Sequence, residues 1–243
     1  WIDGAYDPFG WDVMDSATGR VIGSEHAHAI RAYVHALQSD TVIFGGFLPD
    51  VGWSGSEQGW AAYPLFNVVA KGTGVANWIS PEAGGWFIPE AVLHTRSTWF
   101  WSTNSDSTLK SVDGLVQVYY DSIGRGANLL VNMTPDPTGR IPEAEVKRLA
   151  EFGAEIQRRF AHPIAELAQP DRWTAEHALE LDLNGERAVD HLVIEEDLRH
   201  GQRIRAYQVE AQTTSGWKPV ASGSTVGRRR IEKFAPVRTA KLR

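Results

Sequence analysis

Two carboxylates in loop-forming surroundings give this sequence its first opening for chemistry. Asp3 lies in Trp1-Ile2-Asp3-Gly4-Ala5-Tyr6-Asp7-Pro8, where apolar residues run into an acid, a glycine and a proline-ended loop. That order reads as a strand ending on a carboxylate, where α/β enzymes place their reacting groups. A plainer reading is also open, because Asp before Gly is common turn chemistry. Glu57 lies in Pro49-Asp50-Val51-Gly52-Trp53-Ser54-Gly55-Ser56-Glu57-Gln58-Gly59, a long loop after the apolar run 41–46. Two carboxyl groups across one glycosidic bond can cleave it: one attacks or activates water, and the other protonates the leaving oxygen. The acid member needs a raised pKa, which an aromatic, poorly solvated loop around Glu57 and Trp53 would supply. Strand-end carboxylate pairs also occur in sugar isomerases and metal-dependent lyases, so the pair alone does not choose among these chemistries.

The elements that must position these groups follow from periodicity. Residues 24–38 carry Ile30, Tyr33, Val34 and Leu37 at helical spacing. Residues 41–46 form a short apolar run between turn signals, as a strand buried on both faces does. Residues 86–90 read as a third strand, ending on Glu90, and 128–133 as a fourth. Between them, 106–123 is expected to be a helix with Leu109, Val112, Leu115, Val116 and Tyr119 on its stripe, and 143–160 another, opened by Pro142. Strands near residues 1, 41, 86 and 127 recur about every forty residues. Such β–α units imply parallel strands. Four of them make half of an eight-stranded barrel or a small doubly wound sheet, though no Gly-x-Gly-x-x-Gly follows any strand.

Past His162-Pro163 the texture changes to short alternating runs, with turns expected at Asn184-Gly185, Gly201 and Ser215-Gly216, the pattern of an antiparallel sandwich. The expected division is therefore 1–162 and 163–243. Residues 239–243 still read as a strand, so the sandwich is expected to be incomplete. The chain begins inside an apparent element without Met, which suggests N-terminal truncation.

Composition excludes some functions. With 42% hydrophobic and 22% charged residues in 243, the chain is of ordinary globular type, and it holds no run of about eighteen apolar residues to span a membrane. Ten Trp is many, and flat rings suit the apolar faces of sugars as well as they fill cores. Cys is absent, so no disulfide framework exists. Residues 199–243 hold 11 Lys and Arg against 2 Asp and Glu, but alternating apolar residues make a solvated β surface the better account than a nucleic-acid patch. Asp7, Asp12 and Asp15 miss the spacing of a calcium loop, and His26, His28 and His35 share no helical face with a carboxylate, so no metal is expected.

The motifs resemble those of glycoside hydrolase family 29, the α-L-fucosidases. Trp1-Ile2-Asp3-Gly4-Ala5 is similar to the family's nucleophile strand. The loop 49–59 resembles the acid/base loop of the subgroup specific for α-1,3/1,4-linked fucose. Pro89, Glu90, Arg96, Trp99 and Phe100 resemble a third stretch, and Ser122-Ile123-Gly124-Arg125-Gly126-Ala127-Asn128-Leu129-Leu130-Val131-Asn132 with Pro135, Asp136 and Gly139 a fourth. The resemblance implies the C-terminal half of a (β/α)8-type TIM barrel followed by an antiparallel β-sandwich, and a retaining exo-α-L-fucosidase without a cofactor. Its substrate would be a fucosylated oligosaccharide or glycoconjugate, its setting secreted or periplasmic, and an oligomer is open; no nucleic acid or membrane partner is implied. Asp3 would be the nucleophile and Glu57 the acid/base.

Around them Trp1 would wall the pocket or fill the core, and Trp53 would stack on the aglycone sugar. Trp99 would touch the fucose methyl or pack internally. Glu90 would hydrogen-bond sugar hydroxyls. Arg96 would pair with Asp3 or form a salt bridge elsewhere. Gly52 and Ser56 depart from the Arg and Asn usual at their positions, and the family's N-terminal half barrel has no counterpart here. Two other readings stay open: a broader-specificity α-L-fucosidase, or a silent fragment acting as a carbohydrate-binding module.

Overall fold

A computed structural model describes residues 23–45, 50–69, 85–86, 88–167 and 178–243. Asp3 and Trp1 lie outside them. Two four-stranded sheets organise the described chain. The first is parallel and comprises β1 (Phe44–Gly45), β2 (Val51–Trp53), β5 (Pro89–His94) and β6 (Asn128–Asn132), side by side in chain order. β5 is its buried centre. Ala91, Val92 and Leu93 are almost wholly covered, as a parallel strand walled on both faces requires. The short strands β3 (Val68–Val69) and β4 (Gly85–Trp86) pair antiparallel with each other in a separate two-stranded sheet.

Three helices accompany the parallel sheet: α1 (Gly23–Leu37), α2 (Val112–Asp121) and α3 (Glu143–Phe160). Thus β5–α2–β6–α3 forms two successive β–α units of the kind the sequence implies. α2 is shorter than the run 106–123 suggests. Ser111 caps it by accepting the Gly114 N–H at 3.1 Å, and tight 3₁₀ turns at Ser105–Thr108 and Ile123–Arg125 occupy the flanks.

Two strand assignments change. The expected loop 47–60 contains β2, whose buried Gly52 donates its N–H to the Ile88 carbonyl at 2.8 Å. The expected strand 86–90 divides: Trp86 belongs to β4, and β5 begins at Pro89. Proline, lacking an N–H, suits the first position of a strand. Glu90 therefore opens β5 instead of closing a strand, and the C-terminal end is His94.

The second sheet is antiparallel, in the order β7 (Leu181–Ile194), β10 (Arg230–Leu242), β8 (Tyr207–Thr213), β9 (Gly216–Gly223). A two-residue hairpin at Thr214-Ser215 joins β8 to β9, near the expected turn. Asn184-Gly185 is not a turn. Both residues have positive φ, yet they lie inside β7, opposite a break in register between Thr239 and Lys241. An irregularity that lets one long strand bend has replaced a hairpin. The core of this sheet gathers Leu183, Val189, Ala211 and Leu242.

The two parts share a cluster. Val116 and Tyr120 of α2 pack with Ile231 of β10, joined by Phe152, Ile156 and Phe160 of α3. Tyr63 adds polar contacts, accepting the Ser224 N–H at 2.9 Å and lying 4.1 Å beneath the Arg230 guanidinium. The Arg228-Arg229-Arg230 run is engaged within the chain: Arg228 donates to Asn128, Arg229 pairs with Glu195, and Arg230 with Glu232. Among the described residues no helix is long and apolar enough to cross a membrane.

Gly59 closes the loop after β2, with φ +78°, donating to the Val92 carbonyl at 3.0 Å. A Cβ there would come within 2.6 Å of Val118 and 3.2 Å of Leu93. Gly59→Ala should therefore cost about 2–4 kcal/mol, strain and overpacking combined, read as a lowered urea midpoint.

Candidate active site

The C-terminal edge of the parallel sheet is where such folds place their chemistry, and Glu57 is carried there by an unusual route. After β2 the chain climbs beside β5. The Ser54 N–H donates to the Glu90 carbonyl, the Val92 N–H to the Ser56 carbonyl, and the Gly59 N–H to the Val92 carbonyl, all within 2.9–3.3 Å. Gln58 bridges Leu93 in antiparallel fashion. The segment 54–59 is thus stitched to a buried strand on both sides of Glu57, while the Glu57 side chain stays exposed. The poorly solvated surroundings expected for it are not present among the described residues. Trp53 is instead turned into the loop, donating its indole N–H to the Ser56 carbonyl at 3.2 Å.

Trp99 meets the Glu57 carboxylate. Its Nε1 donates to Glu57 Oε2 at 3.2 Å. Trp99 follows the end of β5 in a bend, and its carbonyl accepts from Asn132 Nδ2 at 3.0 Å. Asn132 closes β6 directly opposite His94. The neighbouring Phe100 is 81% exposed, an open aromatic face one residue from the Glu57 partner.

Arg96 has carboxylate partners within the described residues, while Asp3 lies outside them. Arg96 is 0% exposed, and it forms its ion pairs with Glu145, itself 0% exposed, and Asp106. Nε donates to Thr134 Oγ1 at 2.7 Å and NH1 to Asp106 Oδ1 at 2.6 Å and Ser105 Oγ at 3.1 Å. Both Nε and NH2 reach Glu145 Oε2 at 3.3 Å. Thr95 Oγ1 donates to the other Glu145 oxygen, and the Thr134 N–H and hydroxyl complete the carboxylate's shell.

Glu90 sits low in β5, paired with Trp53 and Asn128. Alternation puts it on the same face as Val92 and His94, four residues below the strand end. Burial pushes its carboxyl above the ordinary range. Asp50, in the same motif as Glu57, is a fixing group. Burial raises its pKa, but Arg31 at 2.5 Å and the Ile43 N–H at 2.9 Å outweigh that and hold it lowered. Asp136 does similar work after β6, held low by Thr138 and the Arg140 N–H. Among the described residues no group of His, Asp or Glu could hold a metal ion.

The sequence reasoning missed His94, Gln58 and the hold of Asn132 on Trp99. The available signal was His94-Thr95-Arg96, a polar triplet directly after the fully apolar Ala91-Val92-Leu93.

Residues 89–159, the segment from β5 almost to the end of α3, match the model for Alpha-L-fucosidase. Alpha-L-fucosidase 1 of Arabidopsis thaliana is 30% identical, across 84% of this chain and 48% of that protein. A candidate alpha-L-fucosidase structure from Bacteroides thetaiotaomicron is 34% identical with a TM-score of 0.71, across 80% of this chain and 46% of that one. A Ruminococcus gnavus GH29 fucosidase crystallised with fucose shares the fold at 22% identity, with a TM-score of 0.68 across 83% and 48% of the two chains. The chain spans about half the length of the curated relatives it matches.

Arg96→Met should cost about 3–5 kcal/mol, because it leaves the Glu145 carboxylate buried without its countercharge, and Glu145→Met should cost less, because Asp106 still pairs with the guanidinium. The double variant should cost well below their sum in a urea-denaturation cycle. For Glu90, the raised value means the fold favours the protonated acid. That stability is present below the ordinary glutamate range and is lost as pH rises through the raised value. Glu90→Gln should therefore gain on the parent as pH rises above the ordinary glutamate range, measured as the difference in unfolding midpoints.

Proposed function

We propose that the chain is part of a retaining exo-α-L-fucosidase that removes α-1,3/1,4-linked fucose from glycans. Residues 1–162 would supply the C-terminal half of its barrel and 163–243 its sandwich. The observation that carries the reading is Glu57 at the C-terminal edge of a parallel sheet, its backbone sewn to β5 and its carboxylate hydrogen-bonded by Trp99. An exposed acid on a fixed main chain suits a group that must meet an incoming substrate.

Asp3 would attack the anomeric carbon and expel the aglycone as Glu57 gives its proton to the departing oxygen. A glycosyl ester forms on Asp3. Glu57, now a carboxylate, then takes a proton from water, which attacks the same carbon and releases Asp3. Such a pair should approach to about 5–5.5 Å. Trp1 would wall the fucose pocket, Trp99 would face the fucose methyl, and Glu90 would stand below as a hydroxyl partner. Trp53 and the exposed Phe100 would border the aglycone.

The departures at Gly52 and Ser56 favour a second reading, a broader-specificity α-L-fucosidase. Good hydrolysis of a branched fucosyl trisaccharide with poor turnover of an aryl fucoside supports the first; the reverse supports the second. The mechanism is tested in the full-length protein by Asp3→Gly. Activity should fall by at least about 10³-fold, and azide should restore turnover as fucosyl azide. Full activity in Asp3→Gly would remove Asp3 from the mechanism.

A further inference from the structure

The geometry points to His94 as the positioning residue for the acid/base Glu57, an inference that rests on the reading above. His94 is the last residue of β5 and only 7% exposed. It touches Glu57 nowhere directly, but it grips both groups that fix Glu57. On one side its Nε2 lies 3.2 Å from Nε2 of Gln58, the residue next to Glu57. On the other its ring meets the Trp99 indole edge to face, with centroids 5.2 Å apart. That indole is the one donating to the Glu57 carboxylate.

The contacts determine how the imidazole works. Nδ1 faces the Arg96 carbonyl, which can only accept, so Nδ1 carries the proton. Nε2 faces the Gln58 amide nitrogen and takes its N–H. The ring is held from both ends. Its Nδ1 anchor is the backbone of Arg96, which the buried Glu145 pair immobilises. A continuous chain of contacts therefore runs from the buried ion pair through His94 to Gln58 and Trp99, and so to the acid. Loosening a proton donor by a fraction of an ångström weakens proton transfer to the leaving oxygen far more than it weakens binding.

This role has a signature that a packing role lacks. Departure of a strongly acidic phenol needs no proton, whereas departure of a sugar does. In the full-length protein, His94→Phe keeps a ring against Trp99 and removes both nitrogens. Its kcat/KM for a fucosyl oligosaccharide should fall about 10- to 100-fold, and that for a dinitrophenyl fucoside by less than about 3-fold. Gln58→Ala, a change at an exposed residue, should show the same selectivity to a smaller degree and serves if His94→Phe does not fold. Equal losses on both substrates, or no loss on either, would overturn the inference. Glu57→Gln is the control: if it lacks the leaving-group selectivity, Glu57 is not the acid and the inference goes with it. If Glu57→Gln shows selectivity while His94→Phe and Gln58→Ala do not, only the positioning role is lost.

Discussion

A guanidinium withdrawn completely from water is the constraint on which the described site depends. Its burial costs several kcal/mol unless carboxylates and other acceptors replace the lost solvent. Arg96 meets that demand from three directions: Glu145 in the first turn of α3, Asp106 and Ser105 from the 3₁₀ turn, and Thr134 after β6. None of these segments can drift without stranding a charge. The bend that carries Trp99 lies between Arg96 and that turn, so it inherits their rigidity.

From that anchor the arrangement grows outward and becomes steadily more exposed. Arg96 and Glu145 have no solvent contact, His94 has little, Trp99 is half-buried, and Glu57 faces out. The order suits the acid/base role proposed for Glu57. Freedom at the carboxylate combines with fixation of everything behind it, which would keep reorganisation small when charge develops. The loop carrying Glu57 achieves the same end by main-chain bonds to β5, and Asp50 ties its start to α1 through Arg31.

How much of this was legible in the sequence depended on whether the signal was local. α3 and β6 fall within a residue of their expected bounds, because a strong apolar stripe and a flanked apolar run report on themselves. β2 is hidden, since three residues around a glycine carry no periodicity, and only pairing with β1 and β5 makes them a strand. The start of β5 was misplaced because Trp86-Phe87-Ile88 looks more strand-like than Pro89-Glu90. Asn184-Gly185 has hairpin chemistry, but its partner strand β10 runs past it without turning. At the site, Glu57 and Trp99 were named separately, and their contact across 42 positions is a product of the fold. The meeting of Arg96 with Glu145, 49 residues on, is likewise a product of the fold.

The cluster shared by α2, α3 and β10 has a consequence for how the molecule comes apart. Gly124 lies so close that a Cβ there would sit 3.2 Å from Ile231, leaving no solvent layer between the helical part and the second sheet. Val193 of β7 packs into the same cluster. Neither part can then lose its tertiary packing without exposing apolar surface of the other. The antiparallel sheet behaves less like an appended module than like the outer wall of the helix layer. The two parts should accordingly melt together, as one cooperative unit.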